Sequence, residues 1–332
     1  MNYIGSKNKL SSFIFDTVTG VTGGDISKKI FCDLFAGTSI IGQTFKPHVQ
    51  QVISNDVEFY SYVLNRNYIG NNTALDAEGY LNTLNNLAPI KGFIFQNYAE
   101  GGSAGRNYFT AQNAQKIDAA RQQIETWKTS AALTDDLYYL LVASLLESAD
   151  RVANTASVYG AYLKQIKASA AKEIKITAAN FIETKTSHHV FQQDSNLLIS
   201  KIEGDILYMD PPYNARQYGA NYHLLNTIAK YDTFAPKGKT GLREYYKSDY
   251  CKRGEVLKSF TEVIEKAQFK YIFLSYNNEG LMSQNNVKEV MERFGKYDVA
   301  TTKYQRFKAD KTQNRNHKAD STIEYLHILE KI

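Results

Sequence analysis

An apolar run at residues 206–209 ends in two consecutive prolines, and this junction limits the local structure more than any other part of the sequence. The run is typical of a buried strand, and the motif that follows it consists of Asp210, Pro211, Pro212 and Tyr213. Because proline lacks an amide hydrogen and biases the preceding residue away from the helical region, the strand must stop and Asp210 must be extended. A carboxylate and free backbone carbonyls therefore lie beside an aromatic ring.

This corner of the chain suits a planar ring that carries an exocyclic amine. The Asp210 carboxylate and a backbone carbonyl can accept the two amine hydrogens, while Tyr213 stacks on the ring. A nucleobase amine is the ligand of this kind that we expect. Aspartate and proline are also ordinary turn residues, so a surface turn that only ends a strand is the alternative.

A second pattern of strand and turn occurs near the N-terminus. Residues 30–35 form an apolar run that contains Asp33, and the small residues after it predict a helix from about Ile40. A further strand at residues 52–55 ends at Asp56. In a doubly wound sheet, ligands bind at the carboxyl ends of the strands, and an acid roughly 20 residues after the first turn binds ribose hydroxyls. The two acids favour a nucleoside site over a purely structural turn.

The sequence lacks the glycine-rich motifs that bind phosphates. Only Gly37 and Gly42 lie in the first turn region, and neither G-x-G-x-x-G nor G-x-x-x-x-G-K-[ST] occurs. Dinucleotide and triphosphate cofactors are therefore disfavoured. A nucleoside cofactor without phosphates remains, and S-adenosylmethionine is the one that pairs naturally with an amine acceptor.

The composition permits a nucleic-acid partner. The 332 residues are 43% hydrophobic and carry a net charge of +5, and the 24 Tyr suit base stacking but also protein interfaces. Cys32 and Cys251 are too few and too far apart for a disulfide framework or a zinc site, which favours a reducing cytoplasm. We expect no signal peptide and no membrane span. We also expect no metal site, because the adjacent His188 and His189 would point to opposite faces of a strand.

Several runs resemble those of the Dam-like adenine-N6 DNA methyltransferases, especially the members that belong to restriction–modification systems. They lie at residues 2–10, 33–37 and 210–213. The longer runs at 214–218 and 273–280 are similar to members that accompany type IIS restriction enzymes. The resemblance covers most of the chain, and the order of the motifs, with the cofactor loop before the catalytic corner, agrees with that family.

The resemblance implies S-adenosylmethionine as the cofactor and gives roles to individual residues. The catalytic motif comprises Asp210, Pro211, Pro212 and Tyr213. The expected cofactor-binding residues are Tyr3, Ile4, Gly5, Ser6, Lys7, Asp33, Leu34, Phe35, Ala36, Gly37, Asp56, Asp194 and Asp210. Ser39 departs from the pattern, because the family usually has glycine at this position, and a serine fits there if its φ is negative.

The long interval between the second strand and the catalytic corner predicts an inserted domain. We expect an α/β, Rossmann-like methyltransferase core at residues 1–70 and 185–332, with a mainly helical insertion at 71–184 that recognises the DNA target. Helical patterns at residues 111–128 and 134–153 support the insertion, and the second has a buried stripe at spacings of three and four. A plain helical cap on the sheet is the alternative.

Basic residues outside these motifs are candidates for DNA contacts. A basic loop with two glycines occupies residues 237–241, and a mobile surface loop is the alternative reading. The basic region before a final strand at residues 322–329 suits a hairpin arm along a phosphate backbone. The residues expected to bind DNA are Arg216, Tyr218, Lys237, Lys239, Arg243, Lys247, Lys308 and Lys311.

The predicted function is methyl transfer from S-adenosylmethionine to N6 of an adenine in a specific double-stranded DNA sequence. A duplex hides that amine, so the base must be flipped into the corner at residues 210–213, at a cost of a few kcal/mol. A cognate restriction endonuclease is a candidate partner.

Two alternatives to this function remain. The first is the same chemistry on adenine in RNA or on cytosine N4, and Asp210 counts against it because those relatives more often begin the corner with Asn or Ser. The second is a catalytically silent DNA-binding relative, against which the intact acids Asp33, Asp56 and Asp210 count.

Overall fold

The computed structural model describes residues 7–305 and 321–332, in which strands and helices alternate along much of the chain. In chain order they are α1 (Ser11–Val21), β1 (Ile30–Asp33), α2 (Ile40–Phe45), β2 (Gln51–Asn55), α3 (Phe59–Asn65), α4 (Glu78–Asn86), α5 (Phe93–Tyr98), α6 (Ala111–Thr129), α7 (Asp135–Arg151), β3 (His189–Phe191), α8 (Ser195–Leu198), β4 (Glu203–Met209), α9 (Tyr218–Asn221), α10 (His223–Lys230), α11 (Val256–Lys266), β5 (Gln268–Asn277), α12 (Gln284–Glu292), β6 (Gly295–Gln305) and β7 (Ser321–Lys331). None of the helices in these two ranges is long and apolar enough to span a membrane.

Within residues 7–305 and 321–332, the strands form one seven-stranded sheet in the order β3-β2-β1-β4-β5-β7-β6. The pairs from β3 to β5 are parallel, whereas β7 lies antiparallel between β5 and β6. The strand order therefore reverses between β1 and β4, which makes that crevice the topological switch point of a doubly wound sheet. The expected α/β, Rossmann-like class is confirmed.

The central strands are buried on both faces, which is why they are continuous apolar runs rather than alternating ones. Phe31 of β1 pairs with Val52 of β2 on one side and with Ile206 of β4 on the other, and Phe31 and Ile206 have no exposed surface. The strand expected to stop before the two prolines does so, because β4 ends at Met209. The helix expected from about Ile40 is also confirmed as α2.

Among the described residues, one compact unit contains the sheet and comprises residues 7–57, 184–217, 246–305 and 321–332. Its apolar cluster includes Leu207 and Met209 of β4, together with Phe260 and Val263 on one face of α11. At about 25 cal/mol per Å² of buried apolar area, each of these side chains contributes roughly 1.5–3 kcal/mol to folding. The sheet edge that carries the motifs is thus held on a rigid core.

The other compact unit is mainly helical and comprises residues 58–183 and 218–245 of the described chain. The predicted helices at 111–128 and 134–153 are confirmed as α6 and α7, and the predicted stripe on α7 is buried apart from the half-buried Leu137. Thr134 caps α7 by accepting from the Leu137 amide at 3.3 Å. The unit differs from the expected insertion at 71–184, because α3, α9 and α10 also belong to it.

Candidate active site

The site is built at the switch point, where β1 and β4 lie side by side. Asp33 is the last residue of β1 and pairs with Tyr208 of β4, and the Leu34 amide donates to the Tyr208 carbonyl at 3.1 Å. Asp210 follows β4 directly. The two acids from distant parts of the sequence therefore meet at one edge of the sheet.

The Asp210 corner is fixed by contacts on both sides. The Asp210 carboxylate forms an ion pair with the Lys7 ammonium at 2.9 Å, and the Asp210 side chain is 20% exposed. Pro211 is buried, while Tyr213 is half-buried against the apolar cluster of the sheet unit. The Tyr213 carbonyl accepts from the Leu281 amide at 2.9 Å. The aromatic side chain thus stays partly accessible while its backbone is held.

A second buried acid completes this corner. Lys7 also lies 3.3 Å from the Glu324 carboxylate, and the same Glu324 oxygen accepts from the Ser275 hydroxyl at 2.9 Å. Sequence reasoning assigned no role to Glu324 or Ser275. The available signal was a charged residue within the apolar strand that ends the chain, which is costly unless the charge is paired.

Burial and charge shift the protonation of the corner. Burial raises the pKa of Asp210 to about 6 against the opposing pull of Lys7, and the Glu324 charge raises it further. Burial alone would lower the pKa of Lys7, but Asp210 and Glu324 hold that pKa well above its ordinary value. Lys7 therefore stays charged, and Asp210 is ionised above about pH 6.

Asp33 has an unusual environment for a carboxylate. One of its oxygens accepts from the Gly42 amide at 3.2 Å, and the other is buried without a hydrogen-bond partner among the described residues. Burial, together with the neighbouring charges of Asp210 and Asp56, raises the pKa of Asp33 to about 8 despite the Gly42 bond. An unpaired buried oxygen of this kind favours a cationic or hydrogen-donating ligand.

The loop after β1 is anchored by the last residue of β2 and the residue that follows it. The Asp56 carboxylate accepts from the Gly37 amide at 2.9 Å, and Gly37 has a positive φ of 50°. The Asn55 side chain donates to the carbonyls of Leu34 and Gln193, each at 3.1 Å. Asn55, which sequence reasoning did not single out, therefore links the segments that follow β1 and β3.

Ser39 corrects an expectation, because its φ is +61° and not negative. Its buried hydroxyl donates to the Thr38 carbonyl at 2.7 Å and accepts from the Gln43 side chain at 3.1 Å. A left-handed conformation costs an L-residue roughly 1–2 kcal/mol, and these hydrogen bonds offset part of that cost. The serine thus takes the backbone shape for which the family uses glycine.

This conformation leads to a prediction about two substitutions at position 39. Ser39→Gly and Ser39→Ala both lose the hydroxyl, but only alanine keeps a Cβ at positive φ. We expect the glycine variant to be more stable by about 1 kcal/mol in urea unfolding, after the larger chain entropy of glycine is allowed for. Equal stabilities, or a more stable alanine variant, would show that φ at this position is not positive.

The remaining candidate for cofactor binding, Asp194, follows β3. It caps α8 by accepting from the Asn196 amide at 2.9 Å and the Leu197 amide at 3.1 Å, and Tyr246 donates to its other oxygen. Phe35, from the loop after β1, meets Tyr250 edge to face with ring centroids 5.0 Å apart. Aromatic surface therefore lies in the same unit as the candidate cofactor acids.

The predicted DNA-contacting residues differ in their surroundings. Arg216 and Lys247 of the sheet unit are exposed, as are Lys237 and Lys239 of the helical unit. Arg243 is only 8% exposed, and its guanidinium is bound by both carboxylate oxygens of Asp232, so it stabilises its own loop. Tyr218 is half-buried against the helical core. The candidates Tyr3, Ile4, Gly5, Ser6, Lys308 and Lys311 lie outside the described residues.

The histidine pair has a structural environment. His188 is buried and accepts from the Val52 amide at 3.0 Å through one ring nitrogen, and the other nitrogen lies 2.9 Å from the Thr184 hydroxyl. Burial lowers the pKa of His188 to about 4, so its ring is neutral. Within residues 7–305 and 321–332, no group of three or more His, Cys, Asp or Glu side chains could hold a metal ion.

Comparison with known proteins agrees with the resemblance. A family model described as D12 class N6 adenine-specific DNA methyltransferase matches residues 3–290. This range contains the loop after β1, the Asp210 corner and the helical unit, whereas Glu324 lies beyond it.

Three curated relatives show how far the similarity extends. The type II methyltransferase M.NlaIII of Neisseria lactamica is 60% identical over 332 residues, which are 100% of this chain and 99% of that protein. M.CviAII of Paramecium bursaria Chlorella virus 1 is 38% identical, with 93% of each chain covered. M.FokI of Planomicrobium okeanokoites is 35% identical over 100% of this chain and 53% of that protein, so this chain spans about half of M.FokI.

Proposed function

Because the chain belongs to the D12 class of N6 adenine-specific DNA methyltransferases, we propose that it uses S-adenosylmethionine to methylate a flipped-out adenine within a specific double-stranded sequence. Methylation of adenine N6 in DNA is the activity of this class and of this chain. The observation that carries the finer proposal is the position of Asp210, which directly follows β4 at the switch point, near Asp33 at the end of β1.

The Asp210 corner is suited to activating an amine. Conjugation with the ring makes the adenine amine planar and a weak nucleophile. The Asp210 carboxylate and the Pro211 carbonyl accept its two hydrogens, which draws the nitrogen towards tetrahedral geometry and frees its lone pair. The gain is chiefly orientation and electrostatic preorganisation. Asp210 need not be a strong base, because the amine proton becomes acidic once the new N–C bond has formed.

The residues around the switch point fit S-adenosylmethionine. When bound, this cofactor supplies a methyl group on a positively charged sulfur. The Asp33 oxygen that has no hydrogen-bond partner among the described residues suits this positive charge. Asp56 is placed to accept from ribose hydroxyls, and Phe35 offers an aromatic face. Lys7, Leu34, Ala36, Gly37 and Asp194 complete the proposed cofactor site.

The proposed DNA contacts rest on the exposure of basic side chains and on the similarity to the type II methyltransferases. We assign target recognition to the helical unit, with Lys237 and Lys239 as phosphate contacts, and further phosphate contacts to Arg216 and Lys247 of the sheet unit. The type II relatives support a role as the modification enzyme of a restriction–modification system that acts in the cytoplasm beside a cognate endonuclease.

Long-read sequencing tests the function most directly. The chain is expressed in cells that lack adenine methylation, and their DNA is read for N6-methyladenine. We expect one short sequence motif to be methylated throughout the genome, and no such motif in cells that express Asp210→Asn. Unmethylated DNA, or methylation of RNA or cytosine alone, would contradict the proposal.

Tyr213 allows a separate test of base capture. Tyr213→Ala should weaken binding of the flipped base by about 1–3 kcal/mol, the usual contribution of base–aromatic stacking. The measurement is the fluorescence of 2-aminopurine at the target position, which rises when the base leaves the stack. Tyr213→Phe is the matched control, because it keeps the ring. An unchanged signal with the alanine variant would remove Tyr213 from this role.

A further inference from the structure

We propose that Glu324 is a positioning residue for methyl transfer, which acts through Lys7 to hold the Asp210 carboxylate in place and to keep the catalytic corner negatively charged. The inference rests on the proposed function, since it concerns the same corner. Glu324 lies outside the residues matched by the family model. It belongs to β7, far from the other motifs in sequence.

The geometry places Glu324 in contact with the machinery rather than with substrate. The Lys7 ammonium lies 2.9 Å from an Asp210 oxygen and 3.3 Å from a Glu324 oxygen, so it bridges the two carboxylates. Ser275 of β5 donates to that same Glu324 oxygen at 2.9 Å. Glu324 and Lys7 are each 8% exposed. The position of the Lys7 ammonium is therefore set jointly by β4, β5 and β7.

Charge balance gives Glu324 a chemical role as well. Lys7 alone would neutralise Asp210, and a neutral pair would do little for an amine that becomes positive as it is methylated. Glu324 adds a second negative charge, so the three side chains together carry a charge of about minus one. In a poorly solvated site, such a fixed charge stabilises positive charge that develops nearby.

Other ionisable groups also face Asp210. Tyr208 lies below it on β4 and Tyr213 follows it, and burial raises the pKa of both hydroxyls, so they are neutral. Asp33 faces it from β1 and carries a proton below about pH 8. Among the described residues, Lys7 and Glu324 are therefore the charged neighbours of Asp210 whose removal should change the acid limb of the pH–rate profile.

A purely structural reading is that Glu324 only pairs with Lys7 and secures the single-turn 3₁₀ helix at Lys7–Lys9. Breaking a buried ion pair is destabilising in either case, so loss of stability cannot decide between the readings. The pH profile of the chemical step can decide. The Glu324 charge raises the pKa of Asp210, so removal of that charge should move the acid limb of the rate profile to lower pH. A purely structural role would leave the limb in place.

The experiment measures single-turnover methyl transfer per folded protein from pH 5 to about pH 9, with tritiated cofactor and a methylatable duplex. Glu324→Gln keeps the shape and removes the charge. We expect its plateau rate to fall about tenfold, less than for a group that touches the substrate, with a lower-pH acid limb and DNA and cofactor affinities within about twofold. The control on the same strand is Glu330→Gln, which removes an exposed carboxylate 3.5 Å from Lys270 and should change neither readout.

Two outcomes would overturn the inference: a wild-type plateau in Glu324→Gln, or a lower plateau with an unmoved acid limb. If this variant does not fold, Glu324→Asp decides, because it keeps the charge but shortens the reach. We then expect a slower plateau with an unmoved limb, and a wild-type plateau would contradict the role. Asp210→Asn separates the proposed function from the proposed role of Glu324. Full activity of Asp210→Asn would refute the catalytic corner itself. If Asp210→Asn is inactive and Glu324→Gln is normal, only the role of Glu324 is refuted.

Discussion

Replacement of Asp210 by asparagine is expected to lower the rate of methyl transfer by at least about 10²–10³-fold, the usual effect of removing one preorganised electrostatic contact. The variant keeps the size of the side chain but loses the charge that the amine and Lys7 both meet. Lys7 retains Glu324 as a partner, so the fold should survive. Single-turnover transfer of a tritiated methyl group measures the rate, and fluorescence anisotropy measures binding of DNA.

Binding should persist in this variant, because Asp210 acts on the amine in the chemical step. Asp210→Ala should be equally inactive. Asp205→Asn is a control in the first half of β4, where the carboxylate accepts from the Ile30 amide at 2.8 Å, and it should keep normal activity. Retained turnover in either Asp210 variant would refute its assignment as the residue that activates the amine.

The parts of the fold that were predicted correctly depend on local sequence. β4 ends where two prolines remove amide hydrogens, and β1 is recognisable because a strand buried on both faces is apolar throughout. The helix α7 is amphipathic over 17 residues, with an N-terminal threonine cap. In each case, residues close together in sequence determine the structure, so the pattern is visible without knowledge of the fold.

The parts that could not be predicted depend on which strands are neighbours. Glu324 meets Lys7 only because β7 runs antiparallel beside β5, and no pattern near Glu324 indicates that pairing. Asn55 links two loops that are distant in sequence. Arg243 was predicted as a DNA contact because it lies in a basic loop, and that pattern did not reveal its ion pair with Asp232. Ser39 shows that local side-chain hydrogen bonds, to Thr38 and from Gln43, can sustain a backbone conformation that its residue type disfavours.

Replacement of Asp33 by asparagine should have the second large effect. We expect the variant to be more stable than the wild type but to bind the cofactor more weakly. The pKa of Asp33 is about 8 in the fold and about 4 in an unfolded chain. Between these two pKa values, Asp33 is protonated in the folded protein but ionised in the unfolded chain. The free energy of unfolding therefore falls as pH rises from about 4 to 8. Asp33→Asn removes this penalty. We therefore expect its free energy of unfolding near pH 8 to exceed that of the wild type by a few kcal/mol.

The pH dependence provides the check on this stability effect. Urea unfolding of both proteins should give similar free energies at about pH 4.5 and a difference that grows up to pH 8, because only the wild type has a proton to lose. A difference that is constant with pH would mean that the variant acts through packing rather than through the charge. A less stable variant at pH 8 would contradict the raised pKa of Asp33.

Cofactor binding should show the functional use of this unstable acid. A positively charged cofactor beside Asp33 favours its ionised form, so binding at pH 7 should release up to about one proton, and affinity should rise with pH until about 8. Calorimetry in buffers of different ionisation enthalpy counts that proton. Asp33→Asn should bind the cofactor weakly without releasing a proton, and equal proton release by both proteins would show that another group titrates. Binding of the cofactor would then offset the destabilisation that the buried Asp33 carboxylate causes in the cofactor-free protein.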